Sequence, residues 1–187
     1  MNTYDFDETI FNPDSSFAFI MYCYKRFPLK MLKTLPAVAV KAIAYRRDKS
    51  KARELKEKLF AFLPEVEDID RLVKEFWACH QDGIGEWYLK QKKDDDIIIS
   101  ASPEFLLEPI AKQLGVRLIA TPMDKHTGLI NGLNCHDHEK VRRFYELYPD
   151  AHTEEFYSDS LSDTPMAMIA DRAFMVNKGK LSPWPNK

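Results

Sequence analysis

The stretch Asn2-Thr-Tyr-Asp-Phe-Asp-Glu-Thr-Ile10 decides how the rest of the chain is read. Tyr4 and Phe6 suit a buried strand, and the run ends in Asp5 and Asp7, one residue apart, followed by Thr9. Alternate residues of a strand share a face, so the two carboxylates would point the same way if the strand continued. A chain that turns away just after Asp5 instead leaves both at the carboxyl end of the strand, where open α/β sheets bind ligands. Two close carboxylates repel one another and are costly to bury without a cation, so the pair invites a metal. Taken alone, the same residues also read as a strand ending in a solvated acidic turn.

From residue 11 to about residue 91 the pattern is helical. Asp14 or Ser15 caps a first helix with apolar positions Phe17, Ile20, Met21, Tyr24 and Phe27. Pro28 opens a second through Leu32, Leu35, Ala39, Ala42 and Ile43, with a kink expected at Pro36. A third spans about Lys49 to Phe62, with Leu55, Leu59 and Phe62 inward. A fourth holds Ile69, Leu72, Val73 and Phe76, and a short fifth includes Trp87 and Tyr88. After Asp94-Asp95-Asp96, the run Ile97-Ile-Ile-Ser100 reads as a central parallel strand. Ser102-Pro103 starts a helix, serine as cap and proline at its first position, that Gly115 ends. Strands at Val116–Met123, Glu155–Tyr157 and Ala173–Val176 then alternate with helices at Glu139–Tyr148 and from Thr164-Pro165, and Thr127-Gly128 and Asn131-Gly132 mark turns.

This alternation predicts an α/β layer sandwich with a mostly parallel sheet. A crossover between parallel strands needs only about a dozen residues. The far longer stretch between the first two strands therefore reads as an all-helical cap, residues 12–93, inserted into a core made of residues 1–11 and 94–187. Such an insertion sits over the carboxyl end of the sheet, as a lid would.

The 187 residues, 45% hydrophobic and 30% charged, describe a globular chain with room for one core and a modest insertion. Cys23, Cys79 and Cys135 are odd in number and far apart, which argues against a disulfide framework. With the first strand beginning at once, no signal peptide is expected ahead of it, and the cytoplasm is the expected location. The net charge of −2 hides an asymmetry: Tyr22 to Phe60 holds 12 Lys/Arg against 3 Asp/Glu. Cys135-His-Asp-His138 contains zinc-type ligands but has no second cluster at suitable spacing.

The pattern Asp5-x-Asp7-x-Thr9 after an N-terminal strand resembles the first signature of the haloacid dehalogenase superfamily, mostly phosphatases. Three more stretches follow in the expected order. Ile97-Ile-Ile-Ser100 resembles the second, a strand ending in Ser or Thr. Lys140, in His138-Glu-Lys-Val141, resembles the third, and Tyr157-Ser-Asp159-Ser-Leu-Ser-Asp163 the fourth. The resemblance covers the core end to end and is to the phosphoserine-phosphatase-like subfamily, with a helical cap between the first two signatures. It implies a Rossmann-like (HAD-like) three-layer sandwich and an Mg²⁺-dependent phosphomonoesterase with an aspartyl-phosphate intermediate.

Carried over, Asp5 would be the nucleophile and Asp7 the general acid and base. Ser100, Ala101 and Lys140 would hold the phosphoryl group. Asp5, the carbonyl of Asp7, and Asp159 would hold Mg²⁺, with Asp163 and Thr9 behind them. Glu8 stands where glycine or lysine is common. The physical need for Lys140 is plain: an aspartate attacking a phosphate brings like charges together, at about 4 kcal/mol per unit pair at 4 Å, and a fixed cation removes that penalty.

The substrate is expected to be a small phosphorylated metabolite or a lipid phosphate, and no nucleic-acid partner is expected. A weaker likeness links the segment Tyr22–Lys30 and the apolar run Leu35–Ala44 to the cap of phosphatidylglycerophosphatase C. Too short to span a bilayer, this segment could lie on the inner, anionic membrane surface, lysines toward headgroups. The bland reading is a soluble cap with a solvated basic face. The alternative to an enzyme is a non-catalytic binding protein that keeps the fold, for which a nucleophile and an acid retained together would serve no purpose.

Overall fold

The computed structural model describes residues 1–185. Its strands, β1 (Asn2–Tyr4), β2 (Ile97–Pro103), β3 (Arg117–Thr121), β4 (Glu155–Ser158), β5 (Arg172–Asn177) and β6 (Lys180–Pro183), form one sheet in the order β3-β2-β1-β4-β5-β6. All neighbouring pairs are parallel except β5 with the edge strand β6. The connections run outward from β1 to β2 and β3 on one side, then return to β4 and β5 on the other. Asp5 therefore leaves β1 where the strand order reverses, the crevice in which doubly wound sheets bind ligands.

The run of isoleucines explains the layering. Ile98 packs on one face of the sheet with Tyr4, Tyr157 and Val176. Ile97 and Ile99 face the other way, with Ile119 and Phe156. Helices α7 (Glu104–Leu114), α8 (His138–Leu147) and α9 (Thr164–Ile169) cover the two faces: Leu106, Leu107 and Ile110 of α7 join the first cluster, and Phe144 of α8 and Met166 of α9 the second. Gly115 closes α7 at φ 71, a left-handed position that costs glycine nothing.

Between β1 and β2 lie α1 (Ser15–Arg26), α2 (Pro28–Leu32), α3 (Leu35–Arg47), α4 (Ala52–Leu59), α5 (Ile69–His80) and α6 (Glu86–Gln91). Asp14 caps α1 through Phe17 N at 2.7 Å, and Asp68 caps α5 through Arg71 N at 3.0 Å. These helices share one apolar cluster with the sheet. Trp77 of α5 stacks edge-on against Phe6 and Phe11 and donates its indole N–H to the Leu106 carbonyl at 2.7 Å. Tyr88 of α6 meets Tyr4, which stacks on Tyr157 with ring centroids 4.7 Å apart.

Several local expectations differ from the fold. The chain breaks at Lys33-Thr34 rather than kinking at Pro36, which sits in the first turn of α3, a place its missing N–H tolerates. Leu32, Leu35 and Ile43, on the apolar run of the expected second helix, are exposed. In α1 the buried face carries Ala18, Phe19, Ile20 and Cys23, and Phe17 is exposed. The helix is turned from the expected face because Phe19 packs against Phe62 and Phe76 of its neighbours. The helix after β2 begins at Glu104, because β2 runs on through Ser102 to Pro103. Strand β6 was not foreseen; Lys178 and Gly179, at φ 50 and 76, make the tight turn that creates it.

Candidate active site

Three hydrogen-bonded groups meet at the carboxyl ends of β1, β2 and β4. The first centres on Lys140, in the first turn of α8. Its ammonium is fully enclosed and donates to Asp5 Oδ1 at 2.6 Å and to Asp163 Oδ2 at 2.7 Å. Asp163 Oδ2 also accepts from the Ser158 hydroxyl at 2.8 Å. Asp5 is fixed from behind by its own N–H, which donates to the Tyr157 carbonyl at 2.8 Å and so continues the β1–β4 ladder one step past the strand. Burial favours the neutral acid and raises the Asp5 carboxyl, with Asp163 and Asp7 pushing the same way and Lys140 pulling it back. Burial also works against the Lys140 charge, but the two carboxylates outweigh it and hold the ammonium above its ordinary value.

The second group surrounds Asp7. Its Oδ1 accepts from Ser15 N at 2.6 Å, at the start of α1. Its Oδ2 accepts from the Ser102 hydroxyl at 2.6 Å and from Ser100 Oγ at 3.3 Å. Ser102 is itself tied to Ser15 and Ser16 at 3.1 and 2.8 Å. Ser102 was expected as a helix cap; its hydroxyl serves Asp7 instead, since strand alternation puts Ser100 and Ser102 on one side.

The third group joins Thr9 and Asp159. Asp159 N donates to Thr9 Oγ1 at 2.9 Å, and that hydroxyl lies 3.4 Å from Asp159 Oδ1. Burial and then Glu8 push the Asp159 carboxyl up to about 6. Glu8 itself stands at φ 56, in the left-handed region that glycine enters freely.

All the positions singled out in the sequence, Asp5, Asp7, Thr9, Ser100, Ala101, Lys140, Asp159 and Asp163, thus fall at one end of the sheet. Sequence reasoning missed Lys56. It comes from α4 and donates to the Ala101 carbonyl at 2.8 Å and to Asn134 Oδ1 at 2.7 Å. Burial, partly offset by Asp7 and Asp14, lowers its pKa to about 8. One of many lysines in a basic stretch, Lys56 carried no distinguishing signal. By contrast, His136 and His138 of the Cys135–His138 stretch are exposed, while Cys135 is buried. Among the described residues no group of three or more His, Cys, Asp or Glu is gathered together.

A mostly parallel sheet in this strand order, with the candidate residues at its switch point, defines a doubly wound α/β protein. The haloacid dehalogenase-like hydrolase family matches residues 3–168, and the chain belongs to it. Protein CicA of Caulobacter vibrioides is 29% identical over 191 residues, covering 95% of this chain and 86% of CicA. Among solved structures, a protein of unknown function from Bordetella pertussis Tohama I superposes with a TM-score of 0.76 at 20% identity, over 92% of this chain and 87% of its own. A phosphoserine phosphohydrolase-like protein from Francisella tularensis gives 0.58 at 17% identity, over 92% and 86%. A phosphoserine phosphatase in its apo form gives 0.53 at 14%, over 91% and 82%. At these identities the structural likeness is one of fold.

Proposed function

We propose that this protein is a phosphomonoester hydrolase that works through a phosphoaspartate on Asp5, beneath a cap formed by residues 12–93. The observation that carries this reading is the buried Asp5–Lys140–Asp163 array at the switch point of the sheet. A structural role alone would rarely justify two carboxylates and a lysine out of water, because desolvating them costs several kcal/mol per ion.

In the first step Asp5 attacks phosphorus, forming the Asp5 O–P bond as the P–O bond to the leaving group breaks. Asp7 gives a proton to the departing oxygen. In the second step Asp7 takes a proton from water, whose oxygen attacks the phosphoaspartate and releases inorganic phosphate and free Asp5. Lys140 offsets the negative charge that gathers around Asp5 in both steps. Ser100 and the backbone at Ala101 line the phosphoryl position, and Lys56 holds the Ala101 carbonyl from the cap side.

The donor set suits Mg²⁺: Asp5, Asp159 and the Asp7 carbonyl are all hard oxygens. Two features of the fold support a cation there. Asp159 is pushed up by burial and by neighbouring acids, and buried Asp163 Oδ1 has no hydrogen-bond partner among the described residues. A bound Mg²⁺ would shield the phosphoryl oxygens from the attacking carboxylate. The substrate class is a small phosphorylated metabolite or a lipid phosphate.

The test is turnover of an aryl phosphate. Wild-type protein should hydrolyse it, lose activity to a chelator and regain it with Mg²⁺ but poorly with Ca²⁺. Asp5→Asn should fall to background while keeping its fold by circular dichroism. Full activity in Asp5→Asn, or in excess chelator, overturns the nucleophile or the metal respectively.

A further inference from the structure

Helix α3 has the composition of a buried helix and is not buried. Nine of its 13 residues are apolar, and none is buried. A helix apolar on all sides normally lies inside a core. Val38, Lys41, Ala42 and Tyr45 are partly covered on the side where Lys41 pairs with Glu54 of α4. The opposite stripe, Pro36, Ala39, Val40 and Ile43, is exposed, Val40 by 65% and Ile43 by 55%. The preceding helix α2 leaves Leu29 78% and Leu32 53% exposed.

Charge states what kind of surface would cover this stripe. Residues 15–47 contain seven Lys/Arg and no Asp/Glu. Arg26 and Lys41 pair with Glu75 and Glu54, whereas Lys25, Arg46 and Arg47 are exposed, the last two at the end of α3 itself. A two-fold contact between copies would set the exposed cations Lys25, Arg46 and Arg47 against one another, since the neighbouring Glu54, Glu65 and Glu75 already face Lys41, Lys33 and Arg26. An anionic, partly apolar surface matches both features. With 13 residues, α3 is too short to cross a bilayer, and among the described residues no helix is long and apolar enough to do so.

We propose that the α2–α3 segment docks on the anionic surface of a lipid bilayer, the Val40–Ile43 stripe set at the headgroup boundary and Lys25, Arg46 and Arg47 on acidic headgroups. This goes beyond the hydrolase reading and does not depend on it. Each such cation strengthens binding by roughly fivefold, so losing three weakens it on the order of a hundredfold.

Co-sedimentation of the full chain with phosphatidylcholine vesicles, with and without phosphatidylglycerol, tests the proposal without any measure of activity. Wild type should bind the phosphatidylglycerol vesicles at low salt, more weakly at physiological salt, and leave the neutral ones in solution. Lys25→Gln/Arg46→Gln/Arg47→Gln should lose binding, and Val40→Ser/Ile43→Ser should weaken it separately. Both variants should keep wild-type circular dichroism and wild-type turnover of any small soluble phosphate the protein hydrolyses. No binding by wild type at low salt, binding indifferent to lipid charge, or undiminished binding by the triple variant overturns the proposal. So does self-association that Val40→Ser/Ile43→Ser abolishes, which would assign the stripe to a second copy.

Discussion

At the scale of single residues, the site is organised by hydroxyls as much as by charges. Ser102 holds Asp7 Oδ2 at 2.6 Å and is held in turn by Ser15 and Ser16. If Asp7 delivers the proton to the leaving group, Ser102 is a positioning residue whose loss matters in proportion to the need for that proton. Ser102→Ala is expected to slow hydrolysis of an alkyl phosphate by about tenfold or more, toward the scale of general acid catalysis itself. The kcat/KM for p-nitrophenyl phosphate, which reports the first step alone and whose leaving group needs no acid, should change little. A kcat/KM series over leaving groups checks this, and an equal loss for all of them would mean that Ser102 does not support the acid role of Asp7. Lys140 calls for a different outcome. Lys140→Met leaves Asp5 and Asp163 buried without their cation, and should cost on the order of 3–5 kcal/mol of stability by urea unfolding at neutral pH.

At the scale of elements, α8 is the part that delivers Lys140, and its first turn is pinned by an arginine–glutamate lattice. Glu139 accepts from Arg142 at 2.7 Å and from Arg143 at 2.8 Å. Arg143 reaches on to the carbonyls of Ala120 and Leu133, both at 2.9 Å, tying the helix to β3 and to the loop before it. Hydrogen bonding from Arg142, and further from Arg143, holds the Glu139 carboxyl down to about 2. A carboxylate with a depressed folded pKa stabilises the fold above its unfolded value and loses that contribution as pH falls through its folded value. Glu139→Gln should therefore be less stable than wild type at pH 6, by on the order of 2 kcal/mol. The gap should narrow below about pH 4.5 and close near pH 2, as followed by thermal unfolding across that range. A gap independent of pH would mean the contribution is packing rather than charge.

At the scale of the whole molecule, the inserted helices are not a separate body in their packing. The apolar cluster that contains Tyr4 and Ile98 of the sheet also contains Phe19, Phe62, Phe76 and Trp77 of the insertion. The protein is therefore expected to unfold in one cooperative transition, with far-ultraviolet circular dichroism and tryptophan fluorescence coinciding. Trp77→Ala removes the side chain that touches Phe6, Phe11 and Phe76 and bonds Leu106. It should lower stability by about 3–5 kcal/mol without splitting the transition. Two separate transitions in the wild type would show that the insertion folds on its own.

The sequence alone determined what depends on local order. Isoleucines at 97–99 dictate a strand buried on both faces, Asp14 dictates a helix start, and the order of Asp5, Ser100, Lys140 and Asp159 along alternating elements dictates which loops share one end of a parallel sheet. Tertiary structure decided what depends on distant partners. The packing of α8 on the sheet through Phe144 brings Lys140 to Asp5 across 135 positions of sequence. The extension of β2 turned Ser102 from a helix cap into a partner of Asp7. The packing of α4 carried Lys56 to the Ala101 carbonyl. It also left α3 outside the core that its composition would have filled, because which apolar helix faces are covered depends on what packs against them and not on their own periodicity.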